Sequence, residues 1–365
     1  MFKKVYLFYL SYLVAMTYSQ MLLLLWFLNN GVSYVQMLIY FLVMYVSVLT
    51  LYLTLRKITF SSRFALVLGV ASSALGVLVA NFMTKPTDIF YTAVLFGVNI
   101  VFFWTVYNML HFKESLSHEH GKNSGAYFLF MPIFTAILAP ISGQIVENFG
   151  YHVLFVSAMF VYLIPLYIAF SIPSFKFKFE FWKAARKMEH KILLIFQGYN
   201  SMLSYNVVPI FTLFYINTPG KLGNFFGYLA ILSALTAFIN SKFSDKKKTR
   251  KIFFYTFIIL NAICFIPLAL TNTLLGWQAF SGVSNFAYGL ANPFNMALVM
   301  DHAKGDITDT MLGREIYLNS GRVIMILVAL TAFLSTGSLK MALLISICVA
   351  LLYPITAYFN RVYLK

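Results

Sequence analysis

The sequence predicts an all-α membrane protein: twelve transmembrane helices in two pseudo-symmetric six-helix bundles, with the N- and C-termini cytoplasmic. Three observations carry this: an apolar composition, apolar runs of spanning length along the whole chain, and positive charge gathered on alternate loops. Hydrophobic residues fill 61% of 365 positions and charged residues only 10%, where a soluble domain carries about 25% charged residues. Mean hydropathy is +0.80. No water-surrounded core of this size could hide so much apolar surface.

A helix needs about 20 mostly apolar residues to cross the hydrocarbon. Runs of that kind lie near 5–28, 34–55, 64–82, 89–111, 125–146 and 152–172, then near 192–215, 224–241, 252–271, 277–299, 317–335 and 341–360. The first run has no small-residue cleavage site and reads as a retained span rather than a signal peptide. With the N-terminus inside, the outward loops hold only Lys85, Lys221 and Lys340, and the other 24 of the 27 Lys and Arg fall on the cytoplasmic side. Positive residues are retained on that side during insertion, so the asymmetry orients the chain. The densest knot, SDKKKTRK at 244–251, becomes the cytoplasmic turn between spans 8 and 9. The net charge of +16 is thereby accounted for by topology, without nucleic acid. Cys264 and Cys348 sit inside apolar runs and form no CxxC pair or disulfide framework.

The longest polar break divides the chain into an N-terminal bundle (1–172), a cytoplasmic interfacial linker (173–191) and a C-terminal bundle (192–365). IPLYIAF around Pro165 echoes YPITAYF around Pro354, an offset of 189 residues that also carries Arg56 onto Asp245. Internal repeats of this kind are common in secondary transporters. In the linker, Phe175, Phe177, Phe179 and Phe181 alternate with charged residues. A segment lying along the anionic inner leaflet and a plain charged tether both fit that pattern.

Six plus six spans with basic turns after spans 2 and 8 resemble the major facilitator superfamily, and the stretch WTVYNMLHFKESL is similar to its prokaryotic members. The superfamily's G-x-x-x-D-R-x-G-R-R turn is matched after span 8 by Ser241, Asp245, Lys246, Arg250 and Lys251, and after span 2 only by Arg56, Lys57 and Arg63. APISGQIVENFGYHVLF is similar to its G-P-x-x-G-G element, through Ala139, Pro140, Gly143, Gly150 and Phe155, with Ala139 and Gln144 replacing two glycines. The resemblance implies a rocking transporter whose spans 1, 4, 7 and 10 line a central cavity. It also implies a multi-pass protein of a prokaryotic cytoplasmic (inner) membrane, acting as a monomer on a small-molecule substrate among membrane lipids, with no cofactor or metal.

Residues on those spans fit a polar lining. Span 7 carries Gln197, Asn200, Ser201, Ser204 and Tyr205, and span 10 carries Ser281, Ser284, Asn285, Tyr288 and Asn292, both at helical spacing. Spans 1 and 4 add Tyr12, Gln20, Asn99 and Tyr107. Polar stripes on a spanning helix face protein or water rather than lipid. None of the eleven acids lies mid-span, and Arg322 reads as about a turn into span 11. The expected substrate is therefore neutral or amphipathic. Asp245, Lys246, Arg250, Asp301, Arg314, Glu315 and Arg322 are expected to form a cytoplasmic latch or gate, on which any coupling would rest. His118, Glu119 and His120 read as a solvated loop rather than a metal site. The P-loop, HExxH and nucleophile-elbow patterns are absent from the sequence, which argues against an ATP-driven pump or a membrane hydrolase. Two other readings stay open: an exporter or flippase of lipid-like compounds, and a non-transporting receptor or scaffold on the same fold.

Overall fold

The computed structural model describes residues 2–114, 120–243, 247–301 and 307–360, and nearly all of them are helical. The chain opens with α1 (Phe2–Gln20) and α2 (Leu23–Asn29), then α3 (Tyr34–Thr54) and α4 (Ser62–Asn81). Next come α5 (Ile89–Asn99), a π-helical segment Ile100–Thr105, and α6 (Val106–Glu114). α7 (His120–Ala169) is two arms, because Gly150 at φ +82° breaks it. Nothing crowds a Cβ at Gly150, so the left-handed backbone alone selects glycine there.

The short α8 (Phe181–Lys187) follows, then α9 (Lys191–Met202), a second π segment Leu203–Val207, and α10 (Val208–Thr212). The remaining helices are α11 (Pro219–Phe243), α12 (Lys247–Leu270), α13 (Leu274–Asp301), α14 (Ile307–Thr336), α15 (Leu339–Ala350) and α16 (Leu352–Phe359). Among the described residues, seven stretches are long and apolar enough to cross a membrane, the longest being Leu129–Ala169, which holds the break at Gly150.

Side chains fix the helix starts. Ser33 and Gln36 form a reciprocal capping box at α3, Ser33 Oγ accepting from Gln36 N at 3.2 Å and Gln36 Oε1 accepting from Ser33 N at 2.8 Å. Contacts between loops define two faces. On the far face, Tyr34 stacks on Phe214 at 4.1 Å, Tyr215 Oη donates to Thr271 O at 2.8 Å, and Gly220 N donates to Glu147 Oε1 at 2.9 Å. On the opposite face, β1 (Thr59–Ser61) pairs antiparallel with β2 (Lys176–Lys178), in the register Phe60 to Phe177.

This ribbon corrects the reading of the linker as a segment lying on the membrane. The Phe–Lys alternation is the period of a strand. Phe177, Phe179 and Phe181 are buried, and their rings pack with Phe60, Phe102 and Tyr52. α8 then docks on α14: Tyr317 Oη donates to Ala185 O at 3.0 Å, and Lys187 Nζ pairs with Asp309 at 3.1 Å. Arg63 forks onto Ile172 O at 2.8 and 3.2 Å.

The far-face half is sealed by glycines. A Cβ on Gly223 would lie 2.3 Å from Ala139 O, and one on Gly143 2.7 Å from Pro219 O. The APISG segment is therefore the surface on which the first arm of α7 meets α11 almost backbone to backbone.

Candidate substrate site

The predicted residues of the first half form a closed hydrogen-bond web. Tyr12 Oη donates to Asn99 Oδ1 at 3.0 Å, and Asn99 Nδ2 donates to Gly69 O at 2.8 Å. Gln20 Nε2 donates to Ser73 Oγ at 2.9 Å and to Tyr162 Oη at 3.1 Å, while Ser73 and Tyr162 share a bond of 3.0 Å. Tyr107 lies apart, buried and stacked on Tyr9 at 4.5 Å. Sequence reading missed Ser73 and Tyr162, which come from α4 and the second arm of α7, outside the four spans expected to line a cavity.

Three of the six predicted residues of the second half border a cleft, and Gln197, Asn200 and Asn292 are not among its lining. Ser204, Asn285 and Tyr288 line it together with Tyr205, Ser281 and Ser284, and it has room for about two water molecules. The π turn at 203–207 brings Ser204 and Tyr205 to this wall, and Tyr205 meets Tyr288 edge-on at 5.2 Å. The hydroxyls of Ser204 and Ser281 are buried without a hydrogen-bond partner among the described residues. Asn285 Oδ1 accepts from Ser233, and Asn261 ties α12 to α13 by donating to Ser284 O at 2.9 Å. Gln197 and Asn200 are buried, Asn200 back-bonding to Phe196 O at 3.0 Å, and Asn292 is half-buried.

The helix that carries the charged residues starts earlier than the sequence reading placed it. α14 begins at Ile307, ten residues before the expected span at 317, so Arg322 stands well inside the helix. Fourteen residues separate it from the far-face end at Thr336, about 21 Å at 1.5 Å per residue. The hydrocarbon is about 30 Å thick, which leaves Arg322 about 9 Å from the opposite boundary, in the half of the span away from the far face and close to where its sequence position puts it. Tyr45, eleven residues from the far-face start of α3 and so at a depth of about 17 Å, lies under its guanidinium, 5.2 Å from the ring centre.

The cluster around Arg322 is continuous. Arg322 Nη1 donates to Asn319 Oδ1 at 2.8 Å, and Nε donates to Ser201 Oγ at 3.4 Å. Asn319 Nδ2 donates to Glu315 O at 2.7 Å and, at 3.4 Å, to Oε2. Arg314 Nη1 meets Glu315 Oε1 at 2.7 Å, both residues at least nine-tenths buried. Asn206 lies beside Tyr45, Tyr52 Oη pairs with Thr105 at 2.8 Å, and Tyr288 lies in the field of both arginines. The signal for Asn319 was present in the sequence, at i+4 from Glu315 and i−3 from Arg322. Among the predicted latch residues, Asp245 and Lys246 lie outside the described residues, as do the side chains of Arg250 and Asp301. His118 and Glu119 lie outside them too, as does the side chain of His120. Among the described residues no group of three His, Cys, Asp or Glu could hold a metal ion.

Residues 60–314 match the Major Facilitator Superfamily. The match spans well over half of the chain, which therefore belongs to that superfamily and to the class of multi-pass membrane transporters. No curated protein sequence matches the chain. Solved structures of the same fold include the human organic anion transporter MFSD10 (TETRAN), with TM-score 0.70 and 10% identity over 97% of this chain and 98% of that one. Another is a POT family transporter in complex with 5-aminolevulinic acid, with TM-score 0.68 and 12% identity over 98% of this chain and 96% of that one. At such identities the likeness is one of fold.

Proposed function

We propose that the chain is a secondary active or facilitative transporter that moves a small amphipathic solute across the cytoplasmic membrane by alternating access. In this reading twelve spans form two bundles, 1–172 and 192–365, joined by the linker 173–191. The ribbon face, where the basic loops gather, is cytoplasmic, as are both termini, and the protein acts as a monomer. The observation that carries the reading is the polar junction between the two bundles. Arg322, from the second bundle, sits on Tyr45 of the first, with Ser201, Asn206 and Tyr288 around it. Polar groups held inside the span between two bundles are what a rocking carrier offers its cargo.

Cysteines introduced singly at Ser204 and Asn285, in a Cys264→Ser/Cys348→Ser background, test this. Each is expected to react with membrane-impermeant maleimide from one side in one conformation and from the other side in another. Constant burial from both sides in proteoliposomes would instead support a scaffold.

A further inference from the structure

We infer that the buried arginine cluster at the junction of the two bundles is an anion-binding subsite, and that the transported solute is an organic monoanion whose negative group docks on Arg322. The inference rests on the transport reading above and adds the chemical class of the cargo.

The charge balance points to it. Arg314, Glu315 and Arg322 share one hydrogen-bonded chain through Asn319, and they sum to one net positive charge. Glu315 is the one carboxylate that contacts this chain among the described residues, and it is already held by Arg314. Among the described residues, Arg322 is bonded only to neutral oxygens and a ring face. A charge drawn away from water is costly unless an opposite charge meets it. One bound monoanion would neutralise the cluster, whereas a dianion would overshoot it.

Donors are free to receive it. Arg322 spends Nε on Ser201 and Nη1 on Asn319, which leaves Nη2 without a partner among the described residues. Arg314 is 7% exposed, and its Nε has no hydrogen-bond partner among the described residues. A buried guanidinium N–H left unpaired in the protein alone is a vacancy that a carboxylate oxygen fills well, since guanidinium and carboxylate match in shape and charge. Arg322 is only half-buried. The surroundings suit an apolar body: the Tyr45 ring lies under the guanidinium, and Tyr288 borders both the arginine field and the aromatic cleft with Tyr205.

The test uses purified full-length protein in nanodiscs and four carboxylates, acetate, hexanoate, benzoate and 4-phenylbutyrate, each paired with its neutral amide. Affinity is read from the concentration dependence of the thermal midpoint, which a ligand of the folded state raises by mass action. At least one carboxylate is expected to bind roughly 10- to 100-fold more tightly than its amide, the range set by a charged hydrogen bond. R322Q is expected to abolish that preference and R322K to retain part of it. Without ligand, R322Q is expected to melt no lower than the parent, because it leaves a neutral Arg314–Glu315 pair. A purely structural latch would melt lower.

Amides binding as well as carboxylates, no carboxylate binding, or a preference that survives R322Q would each overturn the inference. Where R322Q yields no folded protein, R322K and S201A carry the same comparison, and an unchanged preference in both overturns it. The cysteine-accessibility assay keeps the two readings separate. Alternating access without carboxylate preference removes only the anion subsite. Carboxylate preference with constant burial removes the transport reading and leaves the subsite.

Discussion

Gly223→Ala perturbs the far-face seal by one methyl group. The new Cβ would stand 2.3 Å from Ala139 O and 3.3 Å from Gly143 Cα. Ordinary contact begins near 3.4 Å, so the first arm of α7 and α11 must part by about 1 Å, and overpacking of this kind costs about 1–3 kcal/mol. The partner atom is backbone and cannot rotate away. The cost falls on the conformation in which these helices touch and is absent once they separate. At 1.4 kcal/mol per decade, the equilibrium therefore shifts roughly 5- to 150-fold toward a state open on the far face. The reporter is a cysteine at Tyr34, whose ring packs on Phe214 across the same face. Impermeant maleimide should label Tyr34→Cys faster in the Gly223→Ala background, in proportion to that shift. An unchanged labelling rate in a folded Gly223→Ala protein, with Gly143→Ala equally silent, would refute the account of this contact as the far-face gate.

Other outcomes follow from the same contacts. Tyr162→Phe strips one hydroxyl from Ser19, Gln20 and Ser73 at once, and thermal denaturation in nanodiscs should show a loss of about 1–3 kcal/mol. Glu147→Gln removes the charge that caps the N-terminal turn of α11 at Gly220; far-face labelling should rise by a factor set by about 0.3–1 kcal/mol, and less in high salt. Lys187→Glu reverses an exposed pair with Asp309; the loss should stay below about 1 kcal/mol and be recovered in the double variant with Asp309→Lys, as a double-mutant cycle would show.

Composition and hydropathy made the membrane class legible, because both are properties of single residues summed along the chain. The superfamily was legible from loop spacing and a few glycines. The web around Tyr162 was not, since Ser73 and Tyr162 look like isolated polar residues on apolar helices until α4 and α7 converge. The start of α14 was misjudged for a physical reason. Arg314, Glu315 and Asn319 break the apolar run at 317, yet the backbone stays helical back to Ile307 because these side chains satisfy one another. Hydropathy marks where lipid contact begins, and a helix can start well before that. The linker shows the opposite error: its alternation was visible, but strand period and leaflet-facing amphipathicity leave the same trace in a short segment.

The ribbon and the helix after it also bear on what happens to a severed chain. Residues 59–61 and 176–178 are bonded to each other, and α8 offers its backbone to Tyr317 and its Lys187 to Asp309. A polypeptide ending at Met188 keeps its own ribbon and carries a docking helix for a second polypeptide that starts at His190. Co-expressed, two such fragments are expected to copurify without a covalent join. Fragments divided between Pro173 and Ser174 transfer the second strand and α8 to the wrong partner, so the first fragment loses its edge pairing and recovery should fall. The joint at 188–190 would then be dispensable as a tether, since recognition between the two parts is already written into the segment that precedes it.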